Sequence, residues 1–323
     1  MNHERSFHLG VDVAKATLRA ALLSPQGVWR EADFTNNAHG FGRLLAWLAG
    51  DLAETVVCLE STGRYSLALT AYLHANGVPV AMVNPRLVHD YAKSLNCRTK
   101  TDPVDSRIIA GYSRERRPAL WTPPEETTAR LRALFDRRDE LMRMSVSERL
   151  RREGAHEAVA ASIDKNIAWL AEGIVELDEA VAGIIAADAT LAKRAKLLRG
   201  IPGIGALTAA RLLGLIDTNR FDSARALAAH AGVTPSECLS GTSVHTRPRM
   251  SKVGNAQLRR ALYMPSLSAR NGAGFCAWVT KLRAAGKPEK LILGAVMHRL
   301  IRVAYGVLKS GEPYSEQRAF RPA

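Results

Sequence analysis

Seven apolar residues in the middle of the sequence recur at alternating spacings of four and three. Such a repeat keeps one stripe of a helix against a partner, whereas in a strand residues two apart share a face. The surrounding stretch, 127–199, has a helical pattern throughout, so we expect a coiled coil or a long helical hairpin between two domains. An amphipathic helix on a globular core is the alternative. The seven residues are Ile163, Ile167, Leu170, Ile174, Leu177, Val181 and Ile184.

The first hundred residues follow a different period. Apolar and polar residues alternate over 7–13, and the pattern continues over 17–23 and 28–34. This alternation predicts three strands in an antiparallel meander. The pattern then predicts, in order, a helix at 41–48, a strand at 55–59, a helix at 65–75, a strand at 78–83 and a further helix. The sequence therefore predicts an α/β domain with a mixed sheet.

Positive charge is concentrated in the later part of the chain. The net charge is +14, with 11 Lys/Arg against 10 Asp/Glu in 1–110 and 34 against 21 in 111–323. Between Cys238 and Pro288 lie nine basic residues and no acidic one. Such a stretch favours binding to phosphate backbones. A basic surface without a partner is the alternative.

Several protein classes are disfavoured by the same sequence. It has neither a signal-peptide pattern nor an uninterrupted apolar run of the ~18 residues that a membrane span needs. We therefore expect a cytoplasmic protein that does not cross a membrane. The four cysteines are widely spaced and the nine histidines form no close pair, which argues against zinc and redox sites. We expect buried, reduced thiols.

Four carboxylates occupy positions that a fold alone would rarely require. Asp12 and Glu60 each end an apolar strand, and Asp102 and Asp105 stand three apart before a helical segment. Carboxylates gathered at one sheet edge would repel one another unless a divalent metal neutralised them. Capping of the helix that begins near Asp102 is a compatible alternative, since Asp followed by Pro103 is a common helix start. Asp12 alone could be a turn acid, and Glu60 a surface residue.

Two further motifs lie in the second half. The segment 200–205, Gly-Ile-Pro-Gly-Ile-Gly, resembles a helix-hairpin-helix element whose amides can face a phosphate, or else it is a plain interhelical turn. Ser240 precedes Gly241 in a small loop near many cations, as a serine that attacks a DNA phosphate would require. Most such loops are only turns, and Ser243 is an equal candidate on chemistry alone.

Taken in order, these motifs resemble the bacterial insertion-sequence transposases of the IS110 family, the DEDD-type recombinases. The resemblance covers nearly the whole chain. It is carried by segments 10–15 (Gly-Val-Asp-Val-Ala-Lys), 60–65 (Glu-Ser-Thr-Gly-Arg-Tyr), 100–105 (Lys-Thr-Asp-Pro-Val-Asp), 201–205, 240–241, 251–255 (Ser-Lys-Val-Gly-Asn) and 258–262 (Leu-Arg-Arg-Ala-Leu).

The resemblance implies a RuvC-like (RNase H-like) N-terminal domain and a C-terminal transposase domain. It implies that Asp12, Glu60, Asp102 and Asp105 hold Mg²⁺ and that Ser240, rather than Ser243, is the catalytic serine. It also implies a noncoding bridge RNA that pairs with donor and target DNA, and dimers that join into a tetramer.

These observations combine into one prediction of organisation and function. We expect a RuvC-like metal-binding domain at 1–125, a helical or coiled-coil connector at 126–196, and a mainly helical transposase domain at 197–323. The predicted activity is excision and insertion of a mobile element by Mg²⁺-assisted serine attack on DNA, by a homodimer or homotetramer. The rival hypotheses are a RuvC-like nuclease that does not join strands and a non-catalytic nucleic-acid-binding protein.

Overall fold

The computed structural model divides the chain into two compact units, 1–123 and 124–323. The first unit is mixed α/β and the second is mainly helical, which confirms the predicted fold class at that level. The division into three domains stays a prediction. The structure describes residues 7–61, 63–96, 102–236, 239–240, 244–245, 249–272 and 274–320, and of these it gives only the backbone for Arg64, Asp102, Pro103, Leu239, Ser240, Val244 and His245.

One mixed sheet forms the centre of the first unit. Its strands are β1 (Phe7–Val13), β2 (Thr17–Leu23), β3 (Trp29–Thr35), β4 (Thr55–Glu60) and β5 (Val80–Val83). The order is β3-β2-β1-β4-β5. β2 runs antiparallel to β1 and β3, and β4 runs parallel to β1 and β5, so the predicted meander is confirmed. β5 begins two residues later than predicted because the Val78 amide still donates to Leu73 in the preceding helix.

Helices cover both faces of this sheet. They are α1 (Ala38–Leu48), α2 (Arg64–Ala75), α3 (Pro85–Ser94) and α4 (Asp102–Arg116). α1 starts three residues before the predicted position because the Asn37 side chain caps it, accepting a hydrogen bond from the Gly40 amide. α1 and α2 pack on the face that carries Leu9 and Val11. α3 and α4 pack on the opposite face, which carries Cys58.

A helical hairpin opens the second unit. α5 (Glu126–Glu153) and α6 (Glu157–Ala187) are antiparallel, since Arg138 pairs with Asp178 at 2.5 Å and Arg152 pairs with Asp164 at 2.9 Å. The seven apolar residues of the repeat all lie on α6, and each is buried or half-buried. Trp169, next to the repeat, is 56% exposed. The predicted helical hairpin is therefore confirmed, while supercoiling of its helices stays a prediction.

The remaining helices build one core around the longest of them. They are α7 (Ala189–Arg199), α8 (Ala206–Leu215), α9 (Ala224–His230), α10 (Ala256–Ala269), α11 (Phe275–Ala284), α12 (Glu289–Ser310) and α13 (Glu316–Ala319). Among the helices that the structure describes, only α12 is long and apolar enough to cross a membrane. Its Leu300, Ile301 and Ala304 are fully buried in this core, which accounts for its apolar composition.

Candidate active site

Two of the predicted carboxylates lie on neighbouring strands. β1 and β4 are parallel, with Val11 paired to Leu59, so Asp12 and Glu60 each stand one position further along. Residues in register on parallel strands share a face of the sheet, and both carboxylates therefore lie on one face at the carboxyl ends of their strands. Both side chains are half-buried.

α4 brings a third carboxylate to the same place. A Cβ on Gly10 would lie only 2.0 Å from the Ser106 carbonyl oxygen and 2.5 Å from the Ala110 nitrogen, so α4 crosses β1 directly over this glycine. His8 Nδ1 lies 3.0 Å from Ser113 Oγ, which shows that α4 runs opposite to β1. The beginning of α4, with the half-buried Asp105, therefore lies towards the Asp12 end of β1.

The fourth carboxylate, Asp102, is the first residue of α4. Its backbone stands one helical turn before Asp105, and residues three apart on a helix are neighbours. The side chain of Asp102 lies outside the described residues. The backbone therefore brings the four predicted acids to one end of the sheet face that α4 covers.

The donor set at this edge suits a hard cation. Asp12, Glu60 and Asp105 offer only carboxylate oxygens, the ligands that Mg²⁺ prefers. In the described part of the chain, however, no three His, Cys, Asp or Glu side chains already stand close enough to hold a metal ion. Each of the three carboxylates is also engaged in a polar or electrostatic interaction within the chain. The backbone placement and the donor set fit a site for such an ion.

Cys58, two residues before Glu60, does not add to the ligand set. It is fully buried, and burial, together with the charge of Glu60, raises the pKa of its thiol to about 12. A protonated, buried thiol is neither a metal ligand nor a nucleophile. The predicted burial of this cysteine is confirmed. For Cys276, which is exposed, the same prediction was wrong, and Cys97 and Cys238 lie outside the described residues.

An ion-pair network next to Asp12 was not predicted from the sequence. Arg19 is the cross-strand partner of Asp12, yet its guanidinium pairs with Glu31 at 2.5 Å and with Asp33 at 2.7 Å. Glu31 also pairs with Arg107 of α4. Burial opposes ionisation of Glu31, but hydrogen bonds from Arg107 and Arg19 outweigh it and lower the pKa of Glu31. Glu31 thus ties α4 to the β2–β3 side of the sheet.

Ser240 lies in one of two short antiparallel ladders of the second unit, which together are called the serine ladder. Their strands are β6 (Pro235–Ser236), β7 (Leu239–Ser240), β8 (Val244–His245) and β9 (Arg249–Met250). β6 pairs with β9 and β7 with β8, and Ser240 is opposite Val244. Three residues join β7 to β8. The side chain of Ser240 and the whole of Ser243 lie outside the described residues.

The base of this ladder is fixed to the helical core. Ser251 donates its backbone N–H to Thr234 at 2.9 Å, and Asn255 donates its own to His230 at 2.6 Å. A Cβ on Gly254, where φ is +130°, would lie 2.0 Å from the His230 carbonyl oxygen, so only glycine allows this approach. Asn255 also caps α10 by accepting a hydrogen bond from Leu258 at 3.0 Å. The segment 251–255 therefore anchors the serine ladder.

The turn between α7 and α8 also has a packing role. Gly203 has a φ of +84°, and a Cβ there would lie 2.3 Å from the Pro265 carbonyl oxygen of α10. Close packing on α10 thus accounts for this glycine. At Gly205, which precedes α8, an added Cβ would meet nothing within 4 Å. Phosphate binding by this turn stays a prediction.

Comparison with known proteins places the chain in a family. Residues 9–154 match the model of a DEDD-type IS110 transposase domain, and residues 195–274 match that of the transposase IS116/IS110/IS902 family. The "Pilin gene-inverting protein" of Moraxella lacunata is 34% identical over 316 residues, which are 96% of this chain and 98% of the relative. The chain belongs to the IS110 family of transposases.

More distant relatives of the IS110 family agree. A "Putative transposase" of Sinorhizobium fredii is 26% identical over 300 residues, covering 81% of this chain and 75% of the relative. The insertion element IS116 protein of Streptomyces clavuligerus is 24% identical over 399 aligned positions, covering 99% and 97%. Transposases cleave and rejoin DNA, and a DEDD-type domain implies use of a divalent metal.

The two matched regions divide the predicted site residues between them. Asp12, Glu60, Asp102 and Asp105 fall within the DEDD-type match, and Ser240 falls within the IS116/IS110/IS902 match. We call the end of the sheet face where Asp12, Glu60, Asp102 and Asp105 lie the acidic edge. Sequence reasoning missed the roles of Gly10, Arg19 and Glu31, which position α4 against the sheet at this edge. One signal could have indicated the network. Arg19 lies on one predicted strand, and the acids Glu31 and Asp33 lie on the strand predicted to be next to it.

Proposed function

We propose that this IS110 transposase uses its acidic edge and Ser240 together to cut and rejoin DNA. The observation that carries the proposal is that Asp12 and Glu60 lie at one end of a sheet face and that the beginning of α4, with Asp105, lies over the same end. We assign the first unit a RuvC-like (RNase H-like) fold. The assignment is supported by a three-stranded meander followed by two strands parallel to β1.

In this proposal Asp12, Glu60, Asp102 and Asp105 hold Mg²⁺. When bound, the ion supplies positive charge to the phosphate and to oxygens that develop negative charge during displacement. Because the carboxylates are anionic, they would not bind the DNA phosphate themselves, and their role is to hold the cation at the sheet edge. Glu31 is a positioning residue, since it acts through Arg107 on the helix that carries Asp105.

Ser240 is the proposed nucleophile. Its Oγ forms a bond to phosphorus, the bond from phosphorus to the 3′ oxygen breaks, and the serine proton ends on that 3′ oxygen. A 5′-phosphoserine link and a free 3′ hydroxyl result. Attack by the 3′ hydroxyl of another strand reverses the step, joins the strands and releases the serine. The choice of Ser240 over Ser243 rests on resemblance to the family.

The proposed partners of the chain are nucleic acids and further copies of itself. Donor and target DNA are the substrates, and the cationic surplus after residue 110 suits a nucleic-acid partner. The proposal of a bridge RNA rests on the resemblance to the family alone. We propose a homodimer or homotetramer that acts in the cytoplasm without a membrane. The relatives named for pilin gene inversion suggest that the same chemistry can also invert a segment when its two sites have suitable orientations.

A strand-transfer assay with Mg²⁺, read for a covalent protein–DNA adduct, tests the proposal. We expect an adduct with the wild-type chain, none with Ser240→Ala, and a nearly normal amount with the matched control Ser243→Ala. An undiminished adduct from Ser240→Ala would refute the nucleophile. Cleavage without joining or adduct would indicate a RuvC-like nuclease, and binding without cleavage would indicate a non-catalytic protein.

A further inference from the structure

A cavity of ≈ 700 Å³ lies among the C-terminal helices of the second unit, away from the serine ladder in the sequence. It is bordered by α11, α12, α13 and the segment that joins the last two. Ligand pockets in proteins span about 300–1,000 Å³, so its size suits one small organic group. The residues that decide its chemistry are Trp278, Lys281, Arg299, Arg302, Tyr314 and Phe320.

One wall of the cavity is rigid and aromatic. The Arg299 guanidinium carbon lies 4.6 Å from the centroid of the Trp278 ring and 4.9 Å from that of Phe320. The same guanidinium donates a hydrogen bond to the Ala319 carbonyl at 2.6 Å. These contacts fix both rings, because each limits the movement of the others. The wall is therefore built before any ligand arrives.

The charge of the cavity is not neutralised from within. Arg302 and Lys281 are exposed and have no ion pair with the residues that the structure describes. Burial and the nearby Arg302 lower the pKa of Arg299. Two carboxylates, Glu312 and Glu316, face the same space, and Glu312 pairs with Arg318 at 3.6 Å. The cavity lining contains four cations, Lys281, Arg299, Arg302 and Arg318, against these two carboxylates. The lining thus keeps an excess of positive charge that an anion can offset.

Tyr314 adds a polar group to this lining. Its hydroxyl is screened from solvent and has no hydrogen-bond partner in the described part of the protein. A buried polar group without a partner is uncommon in folded proteins. A ligand that carried a hydrogen-bonding edge would supply the missing partner.

We infer that this cavity binds one unpaired nucleotide of a DNA single strand, with Arg302 and Lys281 on its phosphate and Tyr314 on its base. Cationic side chains beside aromatic rings are the combination by which proteins hold single strands. Duplex DNA would not enter, because its bases are stacked and paired. The inference rests on the proposed role of this chain in cutting and rejoining DNA, during which unpaired nucleotides arise.

Fluorescence anisotropy with a short labelled DNA single strand and the matching duplex tests the inference on the full chain. We expect Arg302→Gln and Tyr314→Phe each to weaken single-strand binding about fivefold to tenfold. Neither substitution should change duplex binding by more than the control Lys290→Gln, which removes one charge from the same helix outside the cavity.

A strand with abasic sugars in place of nucleosides separates the two contacts. With this strand Arg302→Gln should still weaken binding, whereas Tyr314→Phe should have no effect. Equal losses from Arg302→Gln and Lys290→Gln, or stronger competition by an acidic peptide than by the DNA strand, would overturn the inference. If the chain bound no DNA at all, the proposed function would fail. If it bound duplex normally and the variants bound single strands like wild type, only the cavity assignment would fail.

Discussion

Asp12 and Glu60 end two long strands that are covered on both faces, whereas Ser240 belongs to a two-residue strand paired with another of the same length. The acidic edge is held by residues that lie far apart in the sequence and pack tightly, such as Gly10 and Ser106. Among the residues that the structure describes, the serine ladder is held at its base, through backbone hydrogen bonds of Ser251, Lys252 and Asn255. Substitutions that alter packing far away in the sequence should therefore disturb the geometry of the acidic edge. The geometry of the ladder should be disturbed chiefly by substitutions in the ladder itself or in its anchor, 251–255.

The largest expected effect comes from removing charge at the acidic edge. Asp12→Asn, Glu60→Gln or Asp105→Asn should each lower DNA cleavage at least about a hundredfold, because the carboxylates together hold the metal charge that the phosphate needs. Each variant should keep wild-type circular dichroism and bind DNA normally. Calorimetry with Mg²⁺ should show weaker metal binding. Near-normal cleavage by any of the three would remove that residue from the site.

A mixing experiment tests whether the two regions act between subunits. We propose that the serine of one protomer acts at the acidic edge of another. Asp105→Asn and Ser240→Ala proteins should each be inactive, and a mixed oligomer should recover part of the cleavage because some centres combine an intact edge with an intact serine. Persistent inactivity of a verified mixed oligomer would reject shared sites. As a control, wild-type protein mixed with either variant gives the activity of an assembly in which only some of the active centres are intact.

Gly10→Ala tests whether packing alone sets the acidic edge. The new Cβ would meet the Ser106 carbonyl, so α4 must shift, and we expect a loss of roughly 1–3 kcal/mol in the free energy of unfolding together with reduced cleavage. Chemical denaturation and the cleavage assay measure the two effects. Gly50→Ala is the matched control, since a Cβ there meets nothing within 4 Å. Equal stability of the two variants would contradict the close approach of α4.

The same difference explains what the sequence could predict. The strand position of Asp12 followed from apolar alternation, that of Glu60 followed from a short apolar run, and the α6 stripe followed from its period. The pairing of β1 with β4 and the crossing of α4 over Gly10 depend on contacts between distant residues, which no local period encodes. The serine ladder was missed because two-residue strands are too short to show alternation. The sequence contained the motif at 251–255, but its anchoring role became apparent only from the hydrogen bond between Asn255 and His230 in the structure.

Glu31 lies where the sheet meets α4, and Glu31→Gln should have the smallest effect on stability and cleavage among these substitutions. The change keeps the shape of the side chain but removes the charge that pairs with Arg19 and Arg107. We therefore expect a loss of about 1 kcal/mol in the free energy of unfolding. We also expect cleavage to require a several-fold higher Mg²⁺ concentration. Because the pKa of Glu31 is lowered in the fold, its contribution is present above the ordinary carboxyl pKa and is lost as pH falls through the lowered value.

The control for this change is Asp33→Asn, which removes a 68% exposed carboxylate that pairs only with Arg19 among the described residues. An exposed pair contributes little, so this variant should keep both the stability and the Mg²⁺ requirement of the wild type. Denaturation curves at several pH values should converge for wild type and Glu31→Gln on acidification, because protonation removes the same charge. If Asp33→Asn raised the Mg²⁺ requirement as much as Glu31→Gln, general surface charge rather than the link between Glu31 and α4 would set the acidic edge.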